Sequence, residues 1–365
     1  MKILIINTVP TEKNGITNVI FNYVKAINDD NFVFDLLAIN DLDDIYKQTI
    51  KQHGGDVYIL HRHNVIAYLL KLSRLIRRNK YDAIHIHGNS HTLCLELLAA
   101  KIGGCKSRIV HAHSTSCLNI KAHYILQKPF DSLCTARIAC GKDAGLFMYG
   151  NNNFDVINNG VDTEKYAFDA QKRKKVRDDY GIREDDILLG HVGYFLPLKN
   201  QRFIVEVLKQ LLEINDNYKL LLIGDGELRP SVEQQVKDYG LDSHVFFAGN
   251  IDNVFDYLNA IDIVIMPSIF EGVPLTLIEQ QANGIRCFVS DTITHEADKT
   301  GNLTFISLQE NADAWAKTIL STKDNMSRSE RSKMAIECIK NAGYDIISQA
   351  KVLEVFYKNV LKNRN

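Results

Sequence analysis

Glu271 and Glu279 flank the segment Gly272-Val273-Pro274-Leu275-Thr276, where an apolar strand pattern from Ile261 to Met266 gives way to a helical one. A helix start presents amides without partners and a dipole worth roughly half a positive charge, which suits a diphosphate. Gly272 lets the backbone come close to such a ligand, and Pro274 suits a first helical turn. One carboxylate outside the helix and another within it can then take the hydroxyls on either side of the diphosphate, one on a sugar and one on a ribose. On its own, the same spacing fits a surface helix with two solvated glutamates, so its weight comes from the residues upstream.

Three upstream segments end strand patterns. His191-Val192-Gly193-Tyr194 leads through Phe195-Leu196-Pro197-Leu198 to Lys199, a cation at the start of the next helix that can neutralise phosphate charge. Leu220 to Ile223 ends in Gly224-Asp225-Gly226, whose glycines allow backbone to approach a ligand. Val245 to Ala248 ends in Gly249-Asn250, where exposed backbone groups can read a base. Each of the three, taken singly, also fits a plain strand and loop.

Nine of the twelve histidines precede residue 165. Alternation along a strand puts His85 with His87, and His111 with His113, on shared faces. A metal site would need further ligands at fixed distance. The expectation is instead of histidines that line a cleft and bind substrate, with His53, His61, His63 and His123 packed or at the surface. From Val57 to Tyr81 there is no acidic residue, yet Arg62, Lys71, Arg74, Arg77, Arg78 and Lys80 surround an apolar helical stripe. Residues 62–80 can therefore rest on an anionic membrane surface, or form a domain helix with a solvated basic face.

The elements that must hold these residues alternate in type. Strands read at Lys2–Asn7, Phe32–Ile39, Asp56–Leu60, Ala83–His87, Arg108–Ala112, Arg137–Cys140 and Asp155–Ile157, with helical patterns at about Thr17–Ile27 and at Val65–Asn79. The pattern restarts with strands at Ile187–Val192, Lys219–Ile223, His244–Ala248, Ile261–Met266 and Arg286–Ser290. This order predicts an α/β chain of two Rossmann-like domains with parallel sheets. In such sheets ligands bind beyond the carboxyl ends of the strands, so the site is expected in a cleft between the two. We place an N-terminal domain at 1–165 and a C-terminal domain at 166–343, with the charged stretch Asp162–Glu184 as linker. A helix over 344–365 is expected to pack back on the first domain through Ile346, Ala350, Leu353, Tyr357 and Val360.

A chain of 365 residues with 45% hydrophobic and 24% charged residues is an ordinary folded composition long enough for two cores. Net charge is −1, which argues against nucleic acid. Residues 1–165 hold 19 Lys and Arg against 15 Asp and Glu, and the remainder 24 against 29, so the first half is the basic one. The apolar run at the N-terminus stops at Asn7, too soon for a signal segment or membrane span. Seven scattered cysteines without C-x-x-C spacing argue against disulfides and zinc clusters and for a reducing cytoplasm.

Taken in order, Val156-Ile157-Asn158-Asn159-Gly160-Val161-Asp162, the Gly224-Asp225-Gly226 turn, Pro267-Ser268-x-x-Glu271-Gly272-x-Pro274 and Glu279 resemble the retaining GT-B glycosyltransferases known as glycosyl transferases group one. The likeness covers nearly the whole chain and is strongest to enzymes of bacterial capsular and exopolysaccharide synthesis. It implies a GT-B fold and a nucleotide-sugar donor, with UDP as the expected nucleotide. It also implies Lys199 at the diphosphate, Glu279 at the ribose, Glu271 at the transferred sugar, and phosphate amides from Gly272, Val273, Leu275 and Thr276, with Pro274, which has no N–H to give, among the donor-binding residues. Tyr194, Gly224 and Asn250 complete the donor side. Asn14-Gly15 resembles the glycine loop that closes over donor phosphate and acceptor, with His87 also on the acceptor side. His113 resembles a histidine lining the reaction centre, and His111 is its neighbour and competitor.

The resemblance implies no essential metal or cofactor. The acceptor is a saccharide, often polyprenyl-linked in this family, which would put the enzyme in the cytoplasm on the inner face of the membrane. Two positions depart from the pattern. Tyr194 stands where many relatives have an arginine, for which Arg202 can compensate, and Asn158 stands where they often have proline. Rival readings are a GT-B sugar-nucleotide epimerase or hydrolase, a non-catalytic carbohydrate-binding partner of a transferase, and a nicotinamide dehydrogenase. The last is disfavoured because Thr8-Val9-Pro10-Thr11-Glu12-Lys13-Asn14-Gly15, not G-x-G-x-x-G, follows the first strand.

Overall fold

The computed structural model describes residues 1–12, 14–322 and 326–362. It divides into two compact units, Met1–Gly160 with the segment from Gly343, and Val161–Ala342. The divisions fall at 160/161 and 342/343, rather than the 165/166 and 343/344 read from the sequence.

The first unit carries seven parallel strands: β1 (Lys2–Asn7), β2 (Val33–Ala38), β3 (Val57–Ile59), β4 (Ala83–His87), β5 (Ser107–Ala112), β6 (Ala136–Ala139) and β7 (Asp155–Val156), in the order 3-2-1-4-5-6-7. The second carries six: β8 (Ile187–Val192), β9 (Tyr218–Ile223), β10 (Val245–Gly249), β11 (Ile263–Met266), β12 (Arg286–Ser290) and β13 (Leu303–Ile306), in the order 10-9-8-11-12-13. Both are doubly wound sheets that reverse direction beside their first strand, at β1/β4 and at β8/β11. Those two switch points are where ligand sites belong.

Unbroken apolar runs follow from burying both faces of a sheet. In β9, Leu220 and Leu222 join one core with Leu189, Ile265 and Trp315, while Leu221 and Ile223 join another with Val192, Val264 and Leu277. In the first unit, Leu4, Ile84, Ile86 and Val110 pack into one core. Alternation turns Ile5, His85, His87 and His111 to the opposite face, where they meet Ile20 and Tyr23 of the Gly15–Ala26 helix and Leu353 and Tyr357 of the Ile346–Lys362 helix. Residues 363–365 of the expected closing helix lie outside the described residues.

Asn158 anchors that closing segment: its side-chain amide donates to the Gly343 carbonyl at 3.1 Å, its own N–H donates to Gln349 at 3.1 Å, and its carbonyl accepts from the Tyr23 hydroxyl. Proline here would lose both donated bonds. A side chain at Gly160 would meet the Ile346 backbone at 2.7 Å.

The expected linker is a correction. Ala170–Asp179 is a helix of the second unit, capped by Asp169. Its charges have fixed partners: Arg173 and Arg177 pair with Asp262 at 2.8 and 3.1 Å, and Lys172 pairs with Asp256 at 3.0 Å. The strand β13 is a further element absent from the sequence reading.

Candidate active site

At the switch point of the second unit, the chain leaves β8 through Gly193 and Tyr194 and turns once over Pro197–Lys199. Asn200, in the left-handed region at φ 54°, then opens the Gln201–Leu212 helix. Asparagine tolerates that conformation better than most side chains. From the other side of the switch point, β11 leads through Ser268 to Glu271, which bridges to Ile293. Lys199 Nζ donates to Glu271 Oε1, forming an ion pair whose two side chains are 19% and 15% exposed. Two residues that the sequence separates by a whole βαβαβ segment thus meet above the reversal of the sheet.

Gly224 and Gly226 are required by the packing of the protein's own backbone. A Cβ on Gly224, at φ 130°, would stand 2.1 Å from the Gly193 carbonyl oxygen, and one on Gly226 would stand 2.7 Å from that of Phe195. The turn is tied to this loop by Phe195 N–H to Asp225 O at 3.0 Å and Leu228 N–H to Phe195 O at 3.2 Å. The glycines therefore let the Gly224-Asp225-Gly226 turn lie against the Gly193–Phe195 backbone and hold it in place. Asn250 is exposed just past β10. Tyr194 is 44% exposed, and its carbonyl accepts from Gln201 at 2.8 Å. Arg202 is exposed, its Nε reaches Gln235 at 3.3 Å, and Gln235 returns a bond to its carbonyl at 3.2 Å. Arg202→Ala is accordingly expected to change nucleotide affinity by less than about twofold, with calorimetric titration as the check.

The Leu275–Ala282 helix begins after Pro274, which is its N-cap rather than its first residue and offers no side-chain acceptor. The amides of Leu275 and Thr276 come before the first bonded turn. A Cβ on Gly272 would face open space, and Val273 packs into the core below. Glu279 keeps only a partly exposed edge. Burial pushes its carboxyl up to about 7, opposed by a hydrogen bond from Tyr166 and by the charge of Lys165. Sequence reasoning missed Tyr166 because nothing local links it to Glu279. It also missed His191, whose Nδ1 lies 2.9 Å from the Ile265 carbonyl and whose buried Nε2 has no partner among the described residues. Burial lowers that imidazole to about 4.

In the first unit, the loop after β1 is fixed by Asn7, which donates to Thr11 at 3.1 Å and to Thr17 at 3.2 Å, and by Thr8, whose hydroxyl donates to the His87 carbonyl at 2.7 Å. Asn14 caps the Gly15–Ala26 helix by accepting from Thr17 N–H at 3.0 Å, and Gly15 is exposed with open space beside it. His87 is buried, with Nδ1 2.8 Å from His113 Nε2. His113 is held by its N–H donating to Asn89 at 2.8 Å, and burial lowers its imidazole to about 3. Of the two candidates at the end of β5, His111 within the strand is fully buried while His113, just past it, keeps an exposed edge.

Residues 172–342 match the family described as Glycosyl transferases group 1, and residues 13–165 match Glycosyltransferase Family 4. The chain is 28% identical over 349 residues to the putative glycosyltransferase EpsF of Bacillus subtilis, covering 91% of this chain and 90% of that protein. It is 26% identical over 316 residues to the UDP-Gal:alpha-D-GlcNAc-diphosphoundecaprenol alpha-1,3-galactosyltransferase of Escherichia coli, covering 81% and 80%. The crystal structure of Anabaena Alr3699/HepE in complex with UDP-glucose superposes with a TM-score of 0.76 at 18% identity, over 98% of this chain and all of that one. Two doubly wound parallel sheets, the first within the Family 4 match from β2 onward and the second wholly within the group 1 match, make this chain a glycosyltransferase of the GT-B type, with a Family 4 N-terminal half and a C-terminal half belonging to glycosyl transferases group 1.

Proposed function

We propose that the protein moves a sugar from a UDP-sugar to a lipid-linked saccharide, with retention at the anomeric carbon, in the synthesis of a capsular or exopolysaccharide. The observation that carries this is the Lys199–Glu271 pair beside the open start of the Leu275–Ala282 helix. It sets a cation, free amides and a carboxylate together where a diphosphate and the hydroxyls of its sugar need them. UDP as the nucleotide draws support from the galactosyltransferase and HepE, whose names carry UDP-Gal and UDP-glucose.

In this reading the diphosphate takes the Leu275 and Thr276 amides and the Lys199 ammonium, which stabilise the charge that grows as the bond to the sugar breaks. Glu279 accepts from the ribose and Glu271 from the sugar hydroxyls. The leaving phosphate takes the acceptor's proton, and the new bond forms on the face it vacates, so no enzymic carboxylate need act as nucleophile. His113 positions the sugar, with Gly15 serving the donor phosphate and Asn14 the acceptor. The first unit serves the acceptor and the second the donor. Because Lys199 and the amides supply the positive charge, no metal is required, and transfer is expected to survive EDTA. Incubation with a panel of UDP-sugars, read by NMR for the anomeric configuration of the product, tests the proposal. An inverted product would overturn the retaining assignment, while epimerised nucleotide sugar without transfer would favour the rival enzyme class.

A membrane-borne acceptor fits a surface of the first unit. The Val65–Asn79 helix buries Tyr68, Leu72 and Ile76 and exposes Ile66 at 71%, next to Leu70, Lys71, Arg74 and Arg78. A second exposed apolar run, Leu118, Ile120, Tyr124 and Ile125, carries Lys121. No helix among the described residues is long and apolar enough to cross a membrane. Apolar side chains among cations suit shallow insertion at anionic lipid. The protein is expected to sediment with anionic liposomes in low salt, and Ile66→Asp with Leu70→Asp to lower that binding by about tenfold. Sedimentation unaffected by salt or by these changes would remove the idea.

A further inference from the structure

The buried histidine face of the first sheet is larger than transfer requires. His85 and His87 alternate on β4, and His111 of β5 is the register partner of His87. Their ring centroids lie 4.2, 5.4 and 5.2 Å apart, taken as His85–His87, His85–His111 and His87–His111. One ring nitrogen from each lies within 4.8 Å of the others. All three side chains are buried, at 1%, 3% and 0% exposure. Yet His85 Nε2 and both nitrogens of His111 have no hydrogen-bond partner among the described residues. An unpartnered buried polar atom typically costs about 1–3 kcal/mol, and a single ion would take up two of these three, His85 Nε2 and one nitrogen of His111.

The surroundings of these rings are apolar apart from two tyrosines. A cavity of about 10 Å³, the size of a single water or ion, is lined by the three imidazoles with Ile5, Tyr23 and Tyr357. His85 Nδ1 lies 2.6 Å from the Tyr357 hydroxyl, and His87 Nδ1 lies 2.8 Å from His113 Nε2. Metal-bound histidines use their second nitrogen in this way, which fixes the ring and directs the free lone pair at the ion. The lining holds no carboxylate, so the donor set is three neutral imidazoles. Such a set takes zinc and its d-block neighbours and passes over magnesium and calcium.

We propose that His85, His87 and His111 bind one zinc-class dication, with water in the fourth position. Zinc–nitrogen bonds of about 2.0–2.1 Å in a tetrahedron place the nitrogens about 3.3 Å apart, so the rings, which are nearly parallel for His85 and His111, must turn and close inward to take the ion. The ion ties β4 to β5 and, through Tyr357, to the Ile346–Lys362 helix. Its role is to hold this face together, and it stands apart from the transfer reaction proposed above.

The test uses the full chain after chelator treatment, with Co²⁺ as the probe. One equivalent should bind with the ligand-field absorption of a four-coordinate nitrogen and oxygen site, without the charge-transfer band that any of the seven free cysteines would add. Zinc should displace it and raise the melting temperature. Tyr357→Phe should weaken binding by about tenfold, and His85→Gln or His111→Gln should abolish the spectrum while circular dichroism stays native. No stoichiometric uptake, cobalt–thiolate absorption, or a spectrum that persists in His111→Gln would overturn the proposal. Should the histidine variants fail to fold, pulsed EPR of the Cu²⁺-loaded wild type decides: three coupled imidazoles support the site, and fewer exclude it.

Discussion

Glu271→Ala is expected to lower transfer by about 100- to 1,000-fold, on the order of 3 kcal/mol of transition-state stabilisation, while UDP affinity holds or rises. The two effects separate because Glu271 is bonded to Lys199 in the unliganded protein. A diphosphate must compete with that carboxylate for the ammonium. Removing Glu271 frees Lys199 for the nucleotide but leaves the sugar's hydroxyls unheld. Lys199→Ala should show the opposite split, losing nucleotide affinity first. The bridge from Glu271 to Ile293 is a backbone one that alanine keeps, so folding should be unaffected. Steady-state kinetics together with UDP titration reads both quantities. Near-normal turnover in Glu271→Ala would end the assignment, and a parallel loss of UDP affinity would show that Glu271 binds the nucleotide instead.

Glu279→Gln should give a more stable protein that binds its donor less tightly. Burial holds the Glu279 carboxyl at about 7 in the folded protein against 4.5 ordinarily. A raised carboxyl keeps its proton in the fold when the unfolded chain has already lost it. Its contribution is therefore fully present below about pH 4.5 and is lost as pH rises to 7. Above pH 7 the charged, hemmed-in carboxylate lowers stability by on the order of 2 kcal/mol, after allowance for its partly exposed edge. Glutamine has no charge to desolvate and can still accept from Tyr166. Its melting temperature at pH 8 should exceed wild type by about 4–8 °C, with the difference vanishing near pH 4. Donor affinity moves the other way. A ribose donates to the carboxylate, so UDP-glucose, whose diphosphate does not titrate in this range, should bind wild type about tenfold less tightly at pH 6 than at pH 8. The glutamine variant should be weak and flat across the same range. Identical melting curves at pH 8, or a pH-independent wild-type affinity, would refute this account of Glu279.

The strands were legible because a sheet covered on both faces writes itself as runs such as Leu220–Ile223 and Ile263–Met266. The motifs assigned to the donor in our proposal were legible for a related reason: each stands at the carboxyl end of such a run. What escaped notice depends on partners distant in sequence. The Ala170–Asp179 helix looked like a solvated linker because its arginines are satisfied by Asp262, out of view in any local window. Gly224 and Gly226 invited a ligand, yet their close neighbour is the Gly193–Phe195 backbone. Alternation correctly paired His85 with His87, but only the register of β4 on β5 brings His111 to them. The exposed run from Leu118 to Ile125 could have been found from its spacing of apolar residues around Lys121.

The crossing at Asn158, Gly160 and Gly343 bears on how the chain is made. Synthesis runs from the N-terminus, so all of residues 161–342 emerge before the segment from Gly343 that completes the first unit. Until then the sheet face bearing Ile5, Phe34 and His85 lacks the cover of Leu353 and Tyr357. The second unit, contiguous in sequence, can fold on the ribosome while the first waits with an apolar surface open to chaperones. A nascent chain arrested after Ala342 should therefore show a protease-resistant second unit and a sensitive first one.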